Sequence, residues 1–284
     1  MNNCNNCPHK CNVDRVNKLG KCGVNKNIKI AKYYLHPYEE PIISKNNSSG
    51  TIFFTGCNLK CVFCQNYEIS RENKGEEITP LKLSEIFKEL ESLGADNISL
   101  VTPTHYITEI IKAFEIYKPK IPVVYNSSGY EDIEKLKLID KYIDIYLPDL
   151  KFKDNALSKR YTNSNNYFEI ASEVIKFMMQ SKKTKIVNDV MVSGVLVRHL
   201  VLPLLTSDSV ALVEWFSKNA TNNAYLSLMA QYTPIKAFKT LTELNRPITK
   251  KEYNKVLNAV FDLNVKNCIM QELTSTGKKF IPKF

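Results

Sequence analysis

Seven of the chain's eight cysteines fall within its first 64 residues, in two spacings that carry chemistry. Cys57, Cys61 and Cys64 stand as C-x3-C-x2-C directly after the apolar run TIFFTG (51–56). Three thiolates this close can wrap a loop around one [4Fe–4S] cube, ligating three irons and leaving the fourth open to a small molecule. Structural zinc takes four ligands, usually as two separated pairs, and a three-cysteine catalytic zinc lacks any H-x-E element here. Upstream, Cys4-x2-Cys7-x3-Cys11-x10-Cys22 offers four thiolates. Four suits either a closed zinc site or a second [4Fe–4S] cluster, and a chain already loaded with one cluster favours the second. His9 could replace one of these cysteines. Cys268 stands alone and reads as a small buried hydrophobe.

These loops need a scaffold. Short β-rich runs recur at 51–55, 97–101, 121–125, 142–147, 195–202 and 225–231. Helical spacing fills most of the gaps. Leu83, Ile86, Phe87, Leu90 and Leu93 share one face, with Thr79 as N-cap, Pro80 in the first turn and Gly94 as the stop. Similar stripes are Ile107/Ile110/Ile111/Phe114, Ile133/Leu136/Ile139, Ile170/Val174/Phe177/Met178 and Val210/Val213/Trp215/Phe216. A last helix near 250–262 opens on a Thr249/Glu252 capping box. Alternating strand and helix predicts an α/β chain with a parallel sheet, either an open (β/α)6 partial barrel or a doubly wound sheet. Ligands gather at the carboxyl ends of the strands in both. The expected organisation is a cysteine-rich N-terminal segment and lead-in over 1–50, the barrel over 51–235 and a helical extension over 236–284. The longest gap, between the fourth and fifth strands, predicts an extra loop.

Composition bounds the rest. Hydrophobic residues make up 44% of 284, which excludes a disordered tail protein. No window approaches the about 18 apolar residues of a membrane span. The first residues, MNNCNNCPHKCN, lack a secretory apolar core, which points to a cytoplasmic chain. Close cysteine spacings in a reducing compartment indicate metal or redox sites, not disulfides. The net charge of +10 comes from dispersed lysines, and no aromatic-interleaved RNA motif accompanies it, so nucleic acid is a minor reading.

The C-x3-C-x-aromatic-C loop after a first barrel strand resembles the radical S-adenosylmethionine (SAM) superfamily. GTIFFTGCNLKCVFCQNYEIS is similar to the branch containing the pyruvate formate-lyase activating enzyme, most closely its PflX-type relatives. EEPIIS, NISLVTPTHYI, VVYNSSGYE, DIYLPDLKF, VLVRHLVLP and SLMAQYTP extend the resemblance over nearly the whole chain. It implies a partial (β/α)6 TIM-like barrel, a [4Fe–4S] cluster with SAM on its open iron, and an oxidoreductase. Its activity would be reductive cleavage of SAM to a 5′-deoxyadenosyl radical that abstracts hydrogen from a substrate. It further implies an electron donor such as flavodoxin or ferredoxin and a protein substrate like a glycyl radical enzyme. The rival readings are action on RNA or a small metabolite, or a non-catalytic metal-binding scaffold.

Site residues follow from the same resemblance. Cys57, Cys61 and Cys64 match the cluster ligands, and Phe63 the aromatic position beside adenine. Where the family has a glycine-rich turn that receives the SAM ammonium, this chain has Thr102-Pro103-Thr104-His105, and Thr102 and Thr104 carry possible acceptors. His105 is a helix-start residue or an acid–base group. Asn126 stands where the activating enzyme opens a turn with an acidic residue. Asp149 and Lys151 match the family's DLK, facing ribose hydroxyls and the methionyl carboxylate. Arg198, a charge in a β-branched run, requires an anionic partner if buried, whereas His199 reads as structural. Gln231 replaces a ribose-contacting histidine.

Overall fold

β-branched runs bounded by turn residues form the strands of this protein, and period-3.6 apolar stripes form helices that cover them. The computed structural model describes residues 4–45, 48–275, 277 and 284. In chain order the elements are β1 (Ile28–His36), β2 (Ser49–Phe54), α1 (Tyr67–Arg71), β3 (Glu76–Ile78), α2 (Pro80–Ser92), β4 (Ile98–Val101), α3 (Ile107–Ile116), β5 (Val123–Ser127) and α4 (Ile133–Ile139). There follow β6 (Ile145–Pro148), α5 (Asn155–Thr162), α6 (Tyr167–Ser181), β7 (Lys185–Val187), β8 (Val190–Leu200), α7 (Thr206–Asn219), β9 (Tyr225–Met229), α8 (Lys250–Asp262) and β10 (Cys268–Met270).

One sheet runs in the order β10-β9-β8-β6-β5-β4-β2-β1-β3, with β7 paired to β8. From β2 to β10 every neighbour along that path is parallel. β1 joins β2 and β3 antiparallel. The two ends of the order are different strands that do not pair, so the sheet is an open partial barrel. All six expected strands form. The seventh parallel strand, β10, lies in the segment expected to be helical. β1 was not anticipated, although Ile28 and Ile30 alternate with Lys29 and Ala31 as a half-buried strand should. The long gap before β8 holds a short helix, α5, ahead of α6, and the β7–β8 hairpin.

Local signals act as read. Thr79 accepts from the Lys82 amide, Pro80 opens α2, and Gly94 follows the helix with φ +83°. Thr249 and Glu252 close the capping box of α8. Leu83, Ile86, Phe87 and Leu90 are fully buried, about 1.5–3 kcal/mol each. Leu93 is exposed, because it caps the helix outside its buried turns. Among the described residues no helix is long and apolar enough to cross a membrane.

Candidate active site

β2 ends inside the sheet and delivers its following loop to the carboxyl edge. Gly56 makes the exit: its φ is +88°, and a Cβ there would lie 2.9 Å from the Cys22 carbonyl oxygen. The cysteine loop is then pinned from both sides. The Cys57 amide donates to the Cys22 carbonyl at 3.1 Å, Lys60 to Thr162 at 3.0 Å and Val62 to Tyr161 at 2.9 Å. Phe63 is buried and packs edge-on against Phe152.

A cavity of about 270 Å³ opens beside this loop. It is lined by Cys57, Cys61, Phe63 and Cys64 and by Thr102, Asn126, Asp149, Lys151, Arg198 and Gln231, which stand in or just beyond the carboxyl ends of five different strands. The structure thus gathers all but one of the barrel residues expected to meet the cluster or SAM, and leaves His105 and His199 outside the cavity. Thr104 is the exception. It is fully buried away from the cavity and donates its hydroxyl to Glu131 at 2.7 Å. His105 is also inward, with Nε2 2.8 Å from the Thr55 carbonyl oxygen, and burial pushes its pKa down to about 3. His199 is structural: its ring nitrogens meet the Leu150 carbonyl oxygen at 2.7 Å and the Ser209 hydroxyl at 2.9 Å.

Charge in the cavity is organised around Asp149. Lys151 Nζ donates to Oδ2 at 2.6 Å and Arg198 Nε to Oδ1 at 3.0 Å. Arg198 also donates to the Asn126 side-chain oxygen at 2.7 Å, so that acceptor is already engaged within the protein. Burial opposes ionisation of Asp149, but Arg198 and Lys151 outweigh it and hold the carboxyl below its usual range. Asp149, Lys151 and Arg198 side chains each remain about one-fifth exposed, open to a ligand. Gly129 lets the β5 turn approach this triad: its φ is +74°, and a Cβ would lie 2.4 Å from the Asp149 carbonyl oxygen. The Tyr167 hydroxyl accepts from the Lys151 amide at 3.0 Å and fixes that backbone.

The sequence reading missed one wall. His36, Tyr38 and Glu39 line the same cavity from the end of β1 and the turn after it. Glu40 behind them is buried and accepts from the Ser227 hydroxyl at 2.8 Å. The available signal was the doubled glutamate Glu39-Glu40, just past the Pro37-Tyr38 that follows β1. Gln65 and Asn66, just past the cysteines, complete the rim.

The donor set fits a cluster with one open position. Burial, then mutual proximity, raises the Cys57 pKa, and burial brings that of Cys61 to about 11 with Lys151 pulling against it. Three thiols that repel one another as thiolates call for a cationic centre between them. Phe63 offers an apolar ring beside them, and Asp149 and Lys151 offer an acceptor and a cation at the cavity wall.

The profile of the Radical SAM superfamily matches residues 51–201. An uncharacterized protein of Methanocaldococcus jannaschii is 31% identical over 273 residues, covering 93% of this chain and 75% of that protein. A second protein of that organism, provisionally named a glycyl-radical enzyme activating enzyme, is 28% identical over 144 residues, covering 49% of this chain and 58% of its own. Among solved structures, Streptococcus suis SuiB bound to S-adenosylmethionine superposes with TM-score 0.53 at 14% identity, over 76% of this chain and 48% of that one. HydG, a maturase of the [FeFe]-hydrogenase, gives TM-score 0.54 at 15% identity over 79% of this chain and 51% of its own. The chain spans about half the length of these two structures, and the likeness to them is one of fold. With the family profile covering more than half of it, and the cysteine loop standing where that fold places its site, the chain belongs to the radical SAM superfamily, whose members use a [4Fe–4S] cluster and SAM.

Proposed function

We propose that this protein is an activating-enzyme-like radical SAM oxidoreductase of the PflX type, acting in the cytoplasm on a glycine of a protein partner. The observation that carries the reading is the meeting of Cys57, Cys61 and Cys64 with the Arg198–Asp149–Lys151 triad in one cavity at the strand ends. When bound, the cluster and SAM supply one-electron cleavage of the sulfonium, giving methionine and a 5′-deoxyadenosyl radical that takes a hydrogen atom from the substrate.

The chain's own residues hold and place these groups. Cys57, Cys61 and Cys64 ligate three irons. Lys151 pairs the SAM carboxylate, and Asp149 accepts from the ribose hydroxyls while keeping Lys151 oriented. Phe63 packs beside the adenine, and Thr102 and Gln231 supply polar edges. Arg198 neutralises Asp149, so the carboxylate stays charged without drawing a proton from the site. The apolar Phe53, Val101, Leu200 and Leu202 line the same cavity and exclude water. The similarity to the archaeal protein provisionally named for glycyl-radical activation supports a protein-borne glycine as the hydrogen donor. A flavodoxin or ferredoxin would deliver the electron.

The test is anaerobic incubation with a reductant, SAM and candidate glycyl radical proteins. The expected result is 5′-deoxyadenosine together with a glycyl radical signal in paramagnetic resonance. 5′-Deoxyadenosine that appears only with an RNA or a small metabolite would replace the protein partner. No SAM cleavage with a fully loaded cluster would overturn the reading.

A further inference from the structure

The barrel site leaves the N-terminal cysteines unused, yet the chain gathers them. Turns, not helices or strands, do it: the Cys4 amide donates to Val13 at 2.9 Å, Asn12 to Cys4 at 3.0 Å, Lys10 to Cys7 at 3.0 Å and Gly20 to Val24 at 3.0 Å. Lys10 and Asn12 both take positive φ to make those turns. Cys7 and Cys22 are buried, and the four thiols lie close enough to act on one another electrostatically. None is in a disulfide.

A second observation is independent of the thiols. Arg15 is 5% exposed, yet no carboxylate lies within ion-pair reach among the described residues. Its terminal nitrogens donate to the His105 and Asn25 carbonyls, and its Nε has no partner. It packs at Cys22: a Cβ on Gly20 would lie 3.1 Å from Cys22 Sγ and 3.6 Å from Arg15 Cδ. A cavity of about 260 Å³ lies between Cys4, Asn6, Arg15, His105 and Tyr106. His105 Nδ1 and the Tyr106 hydroxyl are also buried there without partners. Of the four cysteines Cys4 lines this cavity, so it adjoins the thiol segment on the side of Arg15.

We infer that Cys4, Cys7, Cys11 and Cys22 hold an anionic metal centre, and that Arg15 is its counter-ion. Four thiolates outweigh the charge of a Zn²⁺ ion or of an oxidised [4Fe–4S] core, so either centre is negative and, half-buried, requires a cation. The buried cation lacks an anion, so each answers the other's need. Three of the cysteines sit in one short run, unlike the paired knuckles of zinc sites. That single run points to a [4Fe–4S] cube, which takes one ligand at each of four iron corners. His9 is not needed as a ligand. Its Nε2 lies 2.7 Å from the Asn58 carbonyl oxygen and ties this segment to the barrel cysteine loop.

The test does not depend on the radical reaction. Full-length Cys57→Ala/Cys61→Ala/Cys64→Ala protein, prepared anaerobically, should retain about four irons and as many sulfides per chain. One zinc and no iron would keep the centre and overturn the cube. Should the triple variant misfold, wild type and Cys22→Ser provide the same comparison, with about eight irons falling to about four. Arg15→Gln should release its metal to a chelator about tenfold faster, with Arg15→Lys restoring retention. Unchanged release in Arg15→Gln would remove the counter-ion role. Absence of any metal in folded triple variant, with ready alkylation of the four thiols in protein as isolated, would overturn the inference.

Discussion

The two cysteine sites of this chain are held by different means. The barrel loop hangs from β2, and the strands beside it bring its neighbours into place through a ladder of backbone hydrogen bonds. Between residues 4 and 27 there is no helix or strand at all. Around the barrel cavity Asp149, Lys151 and Arg198 satisfy one another. Around the N-terminal thiols Arg15, His105 and Tyr106 each keep a buried atom without a partner. A packed sheet forms its site before any cofactor arrives. On the inference drawn above, a segment too short to build its own core would take its order from the centre it binds.

The largest expected effect breaks the barrel side alone. Alanine at Cys57, Cys61 or Cys64 should reduce SAM cleavage to background, because a cube deprived of a second protein ligand is labile. The sheet should survive, with a melting temperature within a few degrees of wild type, since the three residues lie in a loop. Full cleavage in all three variants would remove the cluster assignment. The matching break on the other side is Cys22→Ser. Trypsin should then cut first at Lys10, Lys18, Lys21 or Lys26, leaving a stable core from β1 onward. Mass spectrometry of the early fragments reads this directly. Uniform cleavage through the barrel would mean that the two regions order together.

Smaller effects separate charge from metal. Asp149→Ala leaves Lys151 and Arg198 without an anion and should cost about 3 kcal/mol of stability in denaturant unfolding. Because the carboxyl is held below its ordinary pKa, 3.8, that contribution is whole above this value and is lost as pH falls below it. Lys151→Ala should leave stability nearly intact and weaken SAM binding by about 1.5–3 kcal/mol, the value of a hydrogen bond to a charged group. Titration calorimetry on reconstituted protein distinguishes the two. Equal SAM affinity in both variants and wild type would remove both residues from the ligand.

Local chemistry made much of this legible beforehand. The C-x3-C-x2-C loop, the strand before it, the Thr79 cap and the Thr249/Glu252 box all depend on residues a few positions apart. What escaped depends on distant pairing. His36, Tyr38 and Glu39 reach the cavity only because β1 folds back antiparallel on β2. Arg15 meets Cys22 only through turns that no periodicity encodes. Thr104 was misplaced for a subtler reason. Thr102 and Thr104 flank one proline and look equivalent in sequence, yet the backbone turns between them, so Thr102 faces the cavity and Thr104 the core.

That turn yields the smallest and most discriminating prediction. Thr102 has φ +61°, a left-handed conformation unusual for a β-branched residue. Its amide is fixed by the Asn126 carbonyl at 2.8 Å, and its side chain lines the cavity. The resemblance places a glycine-rich turn at this position, and glycine would adopt such a conformation freely. Left-handed backbone costs about 1–2 kcal/mol for an L-residue. Thr102→Gly removes that cost but gives the unfolded chain about 0.4–1 kcal/mol more freedom. The net should be stabilisation of up to about 1.6 kcal/mol, a rise in melting temperature of up to about 3–6 °C. If the threonine hydroxyl serves the ligand, the same variant should weaken SAM binding about fivefold, near 1 kcal/mol. Thr102→Ser should recover that affinity with only part of the stability gain. Stabilisation without any change in SAM binding would make the strain a relic of the turn. Stabilisation with loss of binding would show that the barrel site holds an unfavourable backbone conformation in place for its ligand.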